Sequence, residues 1–207
     1  LLYSCPTFAQ IQLHMRHIYL PLFATIMLVT SCGSERGSQE NAETITQPSA
    51  PPQSQLGDAG TQQLMTVVSD YYALKDALVA TNATQADAAA TKLTESIETL
   101  RTQVNQDSAA SASFATLLDT IGLGTRQILE EKDETTEKKR VHFEKVSDAM
   151  YALLKQAELK NAGVYRQYCP MAFDDKGAYW LSNETEIRNP YFGKKMLECG
   201  EVTDSLK

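Results

Sequence analysis

A chain of 207 residues has room for one or two domains. Its formal net charge of -7 at pH 7 argues against nucleic-acid binding, which needs a basic stripe, and against adhesion to anionic lipid. The four cysteines, Cys5, Cys32, Cys169 and Cys199, are more informative by position than by number.

The first elements are a leader and an anchor. Met15-Arg16-His17 is a short basic start, and Ile18 to Val29 is apolar apart from Pro21 and Thr25. That run is too short to span a bilayer and suits a signal-peptide core. It ends in Leu28-Val29-Thr30-Ser31-Cys32-Gly33, which resembles the lipobox of bacterial lipoproteins, in which the cysteine is acylated. Residues 1–14 are expected to be upstream translated sequence and 15–31 the lipoprotein signal peptide. The mature chain would then be lipid-anchored through Cys32 in the cell envelope, by acyl chains and not by a transmembrane helix. Gly33 after the cysteine favours the outer membrane facing the periplasm. An ordinary signal peptide with an incidental cysteine is the other reading.

Residues 32–60 are rich in Ser, Gln, Pro, Gly and Glu, with scattered apolar residues such as Ile45 and Leu56. Such composition cannot bury enough surface to offset ordering entropy, so a disordered tether spanning about 30 Å is expected.

From Thr61 the pattern is helical. Leu64, Val67, Val68, Tyr71, Leu74 and Leu78 recur at three and four residues and so share a face. Asn82 breaks the run, and Thr84 with Asp87 reads as an N-cap with a first-turn acid. Ala86, Ala90, Leu93, Ile97, Leu100 and Val104 form the second stripe, and Asn105 to Ser111 a break. The third run, Phe114 to Leu129, contains Gly122 and Gly124, each costing about 1 kcal/mol against Ala in a helix, which predicts a kink. The fourth carries Phe143, Val146, Met150, Leu153 and Ala157, and stops before Asn161 and Gly163. Four amphipathic runs with short connections predict an antiparallel up-and-down four-helix bundle over residues 61–160. Its core should hold Leu93, Ile97, Leu100, Phe143, Val146, Met150 and Leu153.

The last stretch, Val164 to Val202, is aromatic and carries the chemistry: Tyr165, Tyr168, Phe173, Tyr179, Trp180, Tyr191 and Phe192. A flexible tail would not carry them, so a small C-terminal hairpin and loop cassette is expected, making 61–207 one helical unit with its cassette. Val164 to Cys169 and Ala178 to Leu181 can be two strands around an Asp174–Gly177 turn, and Gly193 to Glu198 one or two helical turns. Residues i and i+2 of a strand share a side, which would align Cys169 with Met171. Residues i and i+3 of a helix share a face, which would align Met196 with Cys199. If the two ends meet, four sulfurs converge, and soft donors select copper(I) or silver, with zinc less suited unless His142 replaces a methionine. His142 is the only histidine after the leader and is the candidate fifth donor. Competing with this, Cys169 and Cys199 in an oxidising compartment can form a disulfide, closing a loop of about thirty residues and contributing about 3.6 kcal/mol. The methionines would then be core fillers. Enzyme readings are weaker: a lone histidine after the leader excludes H-E-x-x-H, and neither a G-x-S-x-G elbow nor a Walker loop is present.

Tyr168-Cys169-Pro170-Met171-Ala172, Trp180-Leu181-Ser182, Ile187-Arg188-Asn189-Pro190-Tyr191-Phe192-Gly193 and Met196-Leu197-Glu198-Cys199-Gly200 resemble an uncharacterised bacterial domain of unknown function. Arg140-Val141-His142-Phe143 is similar to its fourth-helix pattern. The resemblance runs from about Leu64 to Leu206. Such domains occur in envelope lipoproteins and appended to heavy-metal efflux adaptor proteins of copper and silver pumps. The resemblance therefore implies heavy-metal handling, with efflux components as partners, and favours the metal reading over the disulfide-stapled structural or protein-interaction lipoprotein.

Overall fold

A computed structural model describes residues 50–104 and 111–206, all of them within one unit, Ile45–Lys207. The leader, Cys5, the anchor at Cys32 and the tether up to residue 49 lie outside the described residues, as does most of the break after Val104.

The four stripes become four helices: α1 Gly57–Val79, α2 Ala83–Val104, α3 Ser111–Glu130 and α4 Glu137–Gln156. Consecutive helices pack on one another, α1 on α2, α2 on α3 and α3 on α4. All seven expected core residues are fully buried. The fold is therefore the expected bundle, followed by a small sheet.

Local details depart from the expectation. Asn82, not Thr84, caps α2, its Oδ1 accepting the Gln85 N–H at 3.0 Å. The stretch read as tether is structured before its expected end. α1 starts at Gly57, and Gln53 exchanges backbone hydrogen bonds with Lys160 (3.1 and 2.9 Å), while the Gln55 N–H donates to Ala157 O (2.9 Å). Leu56, one of the scattered apolar residues, packs on the core there.

No kink appears at the glycines of α3, which is continuous. A Cβ at Gly124 would sit 2.5 Å from Val146 Cγ2 and 3.6 Å from the His142 carbonyl oxygen. Gly124 thus lets α3 and α4 approach closely. Lys139, buried, closes the same end of the bundle. Its Nζ donates to Asp87 Oδ1 (2.7 Å), to Ile128 O (2.8 Å) and to Glu131 O, neutralising the C-terminal carbonyls of α3.

Strands β1 Val164–Cys169, β2 Ala178–Ser182 and β3 Glu201–Leu206 form an antiparallel sheet of order β2-β1-β3. The hairpin was expected; β3 was not. Its Glu201, Val202 and Thr203 are all exposed, so it carries no buried alternation to read. A bulge between Arg166 and Gln167 shifts the β1–β3 register. β2 packs on α4, and the Leu181 N–H donates to the Tyr71 hydroxyl of α1 (3.0 Å), which also bonds Ser147 Oγ of α4 (2.8 Å). Burial pushes the Tyr71 phenol far above its ordinary value, so it stays neutral in this network. Tyr71 stacks on Phe143 at 5.2 Å, and Phe143 meets Tyr191 at 6.0 Å, so aromatic rings fill the seam where sheet and bundle join.

The two α3 glycines should respond with opposite sign to alanine. Gly122→Ala meets only the ends of two flexible side chains, Arg126 Nη1 at 3.4 Å and Glu98 Oε1 at 3.9 Å, and should stabilise by up to about 1 kcal/mol through helix propensity. Gly124→Ala should destabilise by about 1–3 kcal/mol through overpacking against Val146. Urea denaturation of the two variants reads the difference directly.

Candidate functional site

Alternation along β1 divides the sheet into two faces. Arg166 and Tyr168 face the bundle with Tyr179 and Leu181 of β2. There the Arg166 guanidinium lies between the rings of Tyr151 (4.0 Å) and Tyr179 (3.7 Å), with Asp148 at 3.7 Å. Gln167 and Cys169 point the other way, paired with Trp180 and Ala178. This second face is covered by residues 183–200. The Gln167 amide donates to Glu184 O (2.8 Å) and Glu186 O (3.1 Å), and Trp180 meets Tyr191 edge-on at 6.0 Å.

Asn189, fully buried, organises that covering segment. Its backbone N–H donates to Leu197 O (2.7 Å) and its Nδ2 to Cys199 O (2.8 Å). Its Oδ1 accepts the N–H groups of Tyr191 (2.8 Å) and Phe192 (3.3 Å). One side chain thereby fixes the Pro190 turn and the carbonyl of Cys199. Gly200 follows at φ +147, a conformation that favours glycine, and a Cβ there would lie 2.8 Å from both Tyr168 O and Trp180 Cη2. Its lack of a side chain lets the chain enter β3 hard against the end of β1. Glu201 pairs with Tyr168, which carries Cys199 to the end of β1 where Cys169 sits.

Arg140 of α4 ties this segment to the bundle. Nε donates to Pro190 O (2.7 Å), Nη1 to Thr135 O (3.1 Å), and Nη2 to Leu78 O and Thr81 Oγ1 (both 3.0 Å). Burial lowers its pKa, and the charges of Glu137 and Asp133 work against that shift. Gly193, at φ +54, allows the segment to approach Thr81 and Arg140 without a clashing Cβ.

The structure brings together part of the expected donor set. Cys169 is fully buried, Cys199 is partly buried beside it, and both are free thiols. The Cys199 thiol is pushed up to about 11, first by burial, then by the hydrogen bond and charge of Cys169; a bond to the Met171 backbone works the other way. The thioethers stand elsewhere. Met171 (48 % exposed) and Met196 line a cleft of about 560 Å3 between the first turn of α4 and the cassette, with Phe173, Tyr191 and Phe192 as aromatic wall and Glu137, Asp174 and Asp175 as carboxylates.

Both ends of the cassette depart from the regular strand and helix geometry expected from sequence. Pro170 has no N–H to continue the ladder, so β1 stops at Cys169, and Met171 is in a helical conformation (φ -88, ψ -6), not on the strand. The helical turn expected from Gly193 to Glu198 is a 3-10 turn over Gly193–Lys195 only. Met196 leaves it at φ -147, and Met196–Cys199 is a turn closed by the Cys199 N–H on Met196 O (3.3 Å). His142 is also placed apart. Its Nε2 lies 3.3 Å from Glu131 Oε1, just past the end of α3, and His142 sits roughly 100–160° around the α4 axis from Glu137, Arg140 and Val141, which line the cleft. Among the described residues no three His, Cys, Asp or Glu side chains gather as for a metal ion, so a metal here would rest on the thiol pair and on thioethers. Arg140 and Asn189 were not singled out as site residues. Both lie in the segments that carry the family resemblance, which was the available signal.

Because Cys199 titrates near 11, its alkylation by iodoacetamide should rise about tenfold per pH unit between 7 and 10. Cys169→Ala removes two of the causes that raise it and should shift the curve to lower pH. Peptide mass spectrometry of the alkylated chain reads both.

Residues 67–162 match the model of a family described as Protein of unknown function (DUF3347). The match begins within α1 and ends two residues before β1, so it covers most of the bundle and stops short of the cysteine-bearing cassette. No curated protein and no solved structure matches the chain.

Proposed function

We propose that this protein is an envelope lipoprotein that binds a soft metal ion, with copper(I) as the best-fitting cargo, for heavy-metal handling or efflux. The observation that carries the reading is the meeting of two free thiols, Cys169 and Cys199, under the aromatic loop, with the Met171 backbone bonded to the Cys199 sulfur. A hydrogen bond to sulfur favours the thiolate that a metal needs, and outer-shell bonds of this kind orient metal ligands. Two thiolates, with the thioethers of the adjoining cleft as further soft donors, suit copper(I) or silver; zinc prefers four nitrogen or sulfur donors, and His142 stands around the α4 axis from the cleft with its Nε2 at Glu131. Met171 and Met196 are the neutral soft donors nearest the pair in the chain. Loading displaces the thiol protons, so apparent affinity should increase with pH. The leader ending in Cys32 supports membrane anchoring through lipid, and the resemblance supports efflux components as partners.

The second reading is a disulfide-stapled structural or protein-interaction lipoprotein without metal, and the same adjacency of Cys169 and Cys199 supports it. Competitive copper(I) titration against a chromophoric chelator, under reductant, separates the two. Cys169→Ser and Cys199→Ser should each abolish competition. Met171→Leu and Met196→Leu, volume-conserving swaps costing under about 1.5 kcal/mol of stability, should weaken affinity by about tenfold each. A reduced wild-type protein that fails to compete, together with bridged Cys169 and Cys199 peptides in the isolated protein, would establish the stapled reading instead.

A further inference from the structure

The two thiols are unequal. Cys169 is fully buried at the end of β1, under residues 183–200, whereas Cys199 is partly exposed in the turn that precedes β3. Both are held by backbone bonds that do not involve sulfur: β1 pairs with β2 through Cys169 and Ala178, and Asn189 Nδ2 holds the Cys199 carbonyl. Tyr168 and Glu201 pair across the junction, so the sulfurs are neighbours because of the ladder, whether or not they are bonded. A reagent arriving from solvent meets Cys199 first, and any adduct formed there has Cys169 beside it.

We propose that Cys169 and Cys199 form an asymmetric exchange dithiol for small disulfides, with Cys199 as the attacking thiol and Cys169 as the resolving thiol. The Cys199 thiolate attacks one sulfur of a disulfide of the glutathione class, forming a mixed disulfide and expelling one thiolate. Cys169, deprotonated, then attacks the Cys199 sulfur, forming the Cys169–Cys199 bond and expelling the second thiolate. Two electrons pass from the protein to the incoming disulfide, and the two protons lost by the cysteines end on the two released thiols. Exchange at this pair makes the disulfide a reversible state of the cassette, distinct from a permanent staple, and it does not depend on whether a metal binds.

The test exposes the reduced full chain to oxidised glutathione at pH 8, quenches with acid, and locates adducts by peptide mass spectrometry. In the wild type the first adduct should appear on Cys199 and convert to the Cys169–Cys199 disulfide. In Cys169→Ser the Cys199 adduct should accumulate, because nothing resolves it. In Cys199→Ser the burial of Cys169 should slow its modification by about tenfold or more relative to Cys199 in the Cys169→Ser chain. A first wild-type adduct on Cys169, or a wild-type Cys199 adduct that persists without an internal disulfide, would overturn the assignment. The wild-type time course decides this even if a serine variant fails to fold.

Discussion

The placement of the cassette depends on one buried cation. Arg140 projects from the first turn of α4 and donates to the last turn of α1, to the turn before α4 and to the Pro190 carbonyl. Its direct partners are carbonyl and hydroxyl oxygens, so the desolvation of its charge is offset by four hydrogen bonds and by the negative end of α1. The fork geometry matters: a lysine would present one point charge to acceptors spread over three segments. Removing the guanidinium would leave buried carbonyls unmet, and each such group costs about 1–3 kcal/mol.

From that pin the site follows by short steps. Pro190 is fixed by Arg140, Asn189 is fixed beside Pro190, and Asn189 holds the carbonyl of Cys199. The β1–β3 ladder supplies the other half by closing on the Tyr168–Glu201 pair, next to Cys169 on one strand and two residues from Cys199 on the other. A polar relay and a backbone ladder therefore converge on two thiols, while the thioethers of Met171 and Met196 face the adjoining cleft. The family match, residues 67–162, stops before β1, so the chemistry proposed here belongs to the segment beyond it.

The bundle was legible because burial imposes a period. Leu93, Ile97 and Leu100, or Phe143, Val146, Met150 and Leu153, repeat at three and four residues and all end fully buried. The hairpin was legible from aromatic alternation and a turn. Gly124 was misread because propensity is local, whereas its reason is Val146 on another helix. β3 was missed because an exposed edge needs no apolar alternation. The four-sulfur convergence rested on regular geometry that Pro170 interrupts in front and the short Gly193–Lys195 turn interrupts behind. The pairing of the thiols was legible as a possibility; the separate placement of Met171, Met196 and His142 was not. Arg140 and Asn189 act through backbone carbonyls and N–H groups, and no spacing of residue types announces such partners.

The central claim is that Arg140 holds the cassette, and through it the thiol pair, on a bundle that is otherwise self-sufficient. Hydrogen exchange on Arg140→Gln tests this most directly. The Tyr191, Gly193 and Cys199 amides, all bonded within the cassette, should exchange at least about tenfold faster than in the wild type, with α2 and α3 as protected as before. Maleimide labelling of Cys169 in the same variant should rise in parallel. Unchanged protection of those amides, or protection lost evenly across α2 and α3, would contradict the account.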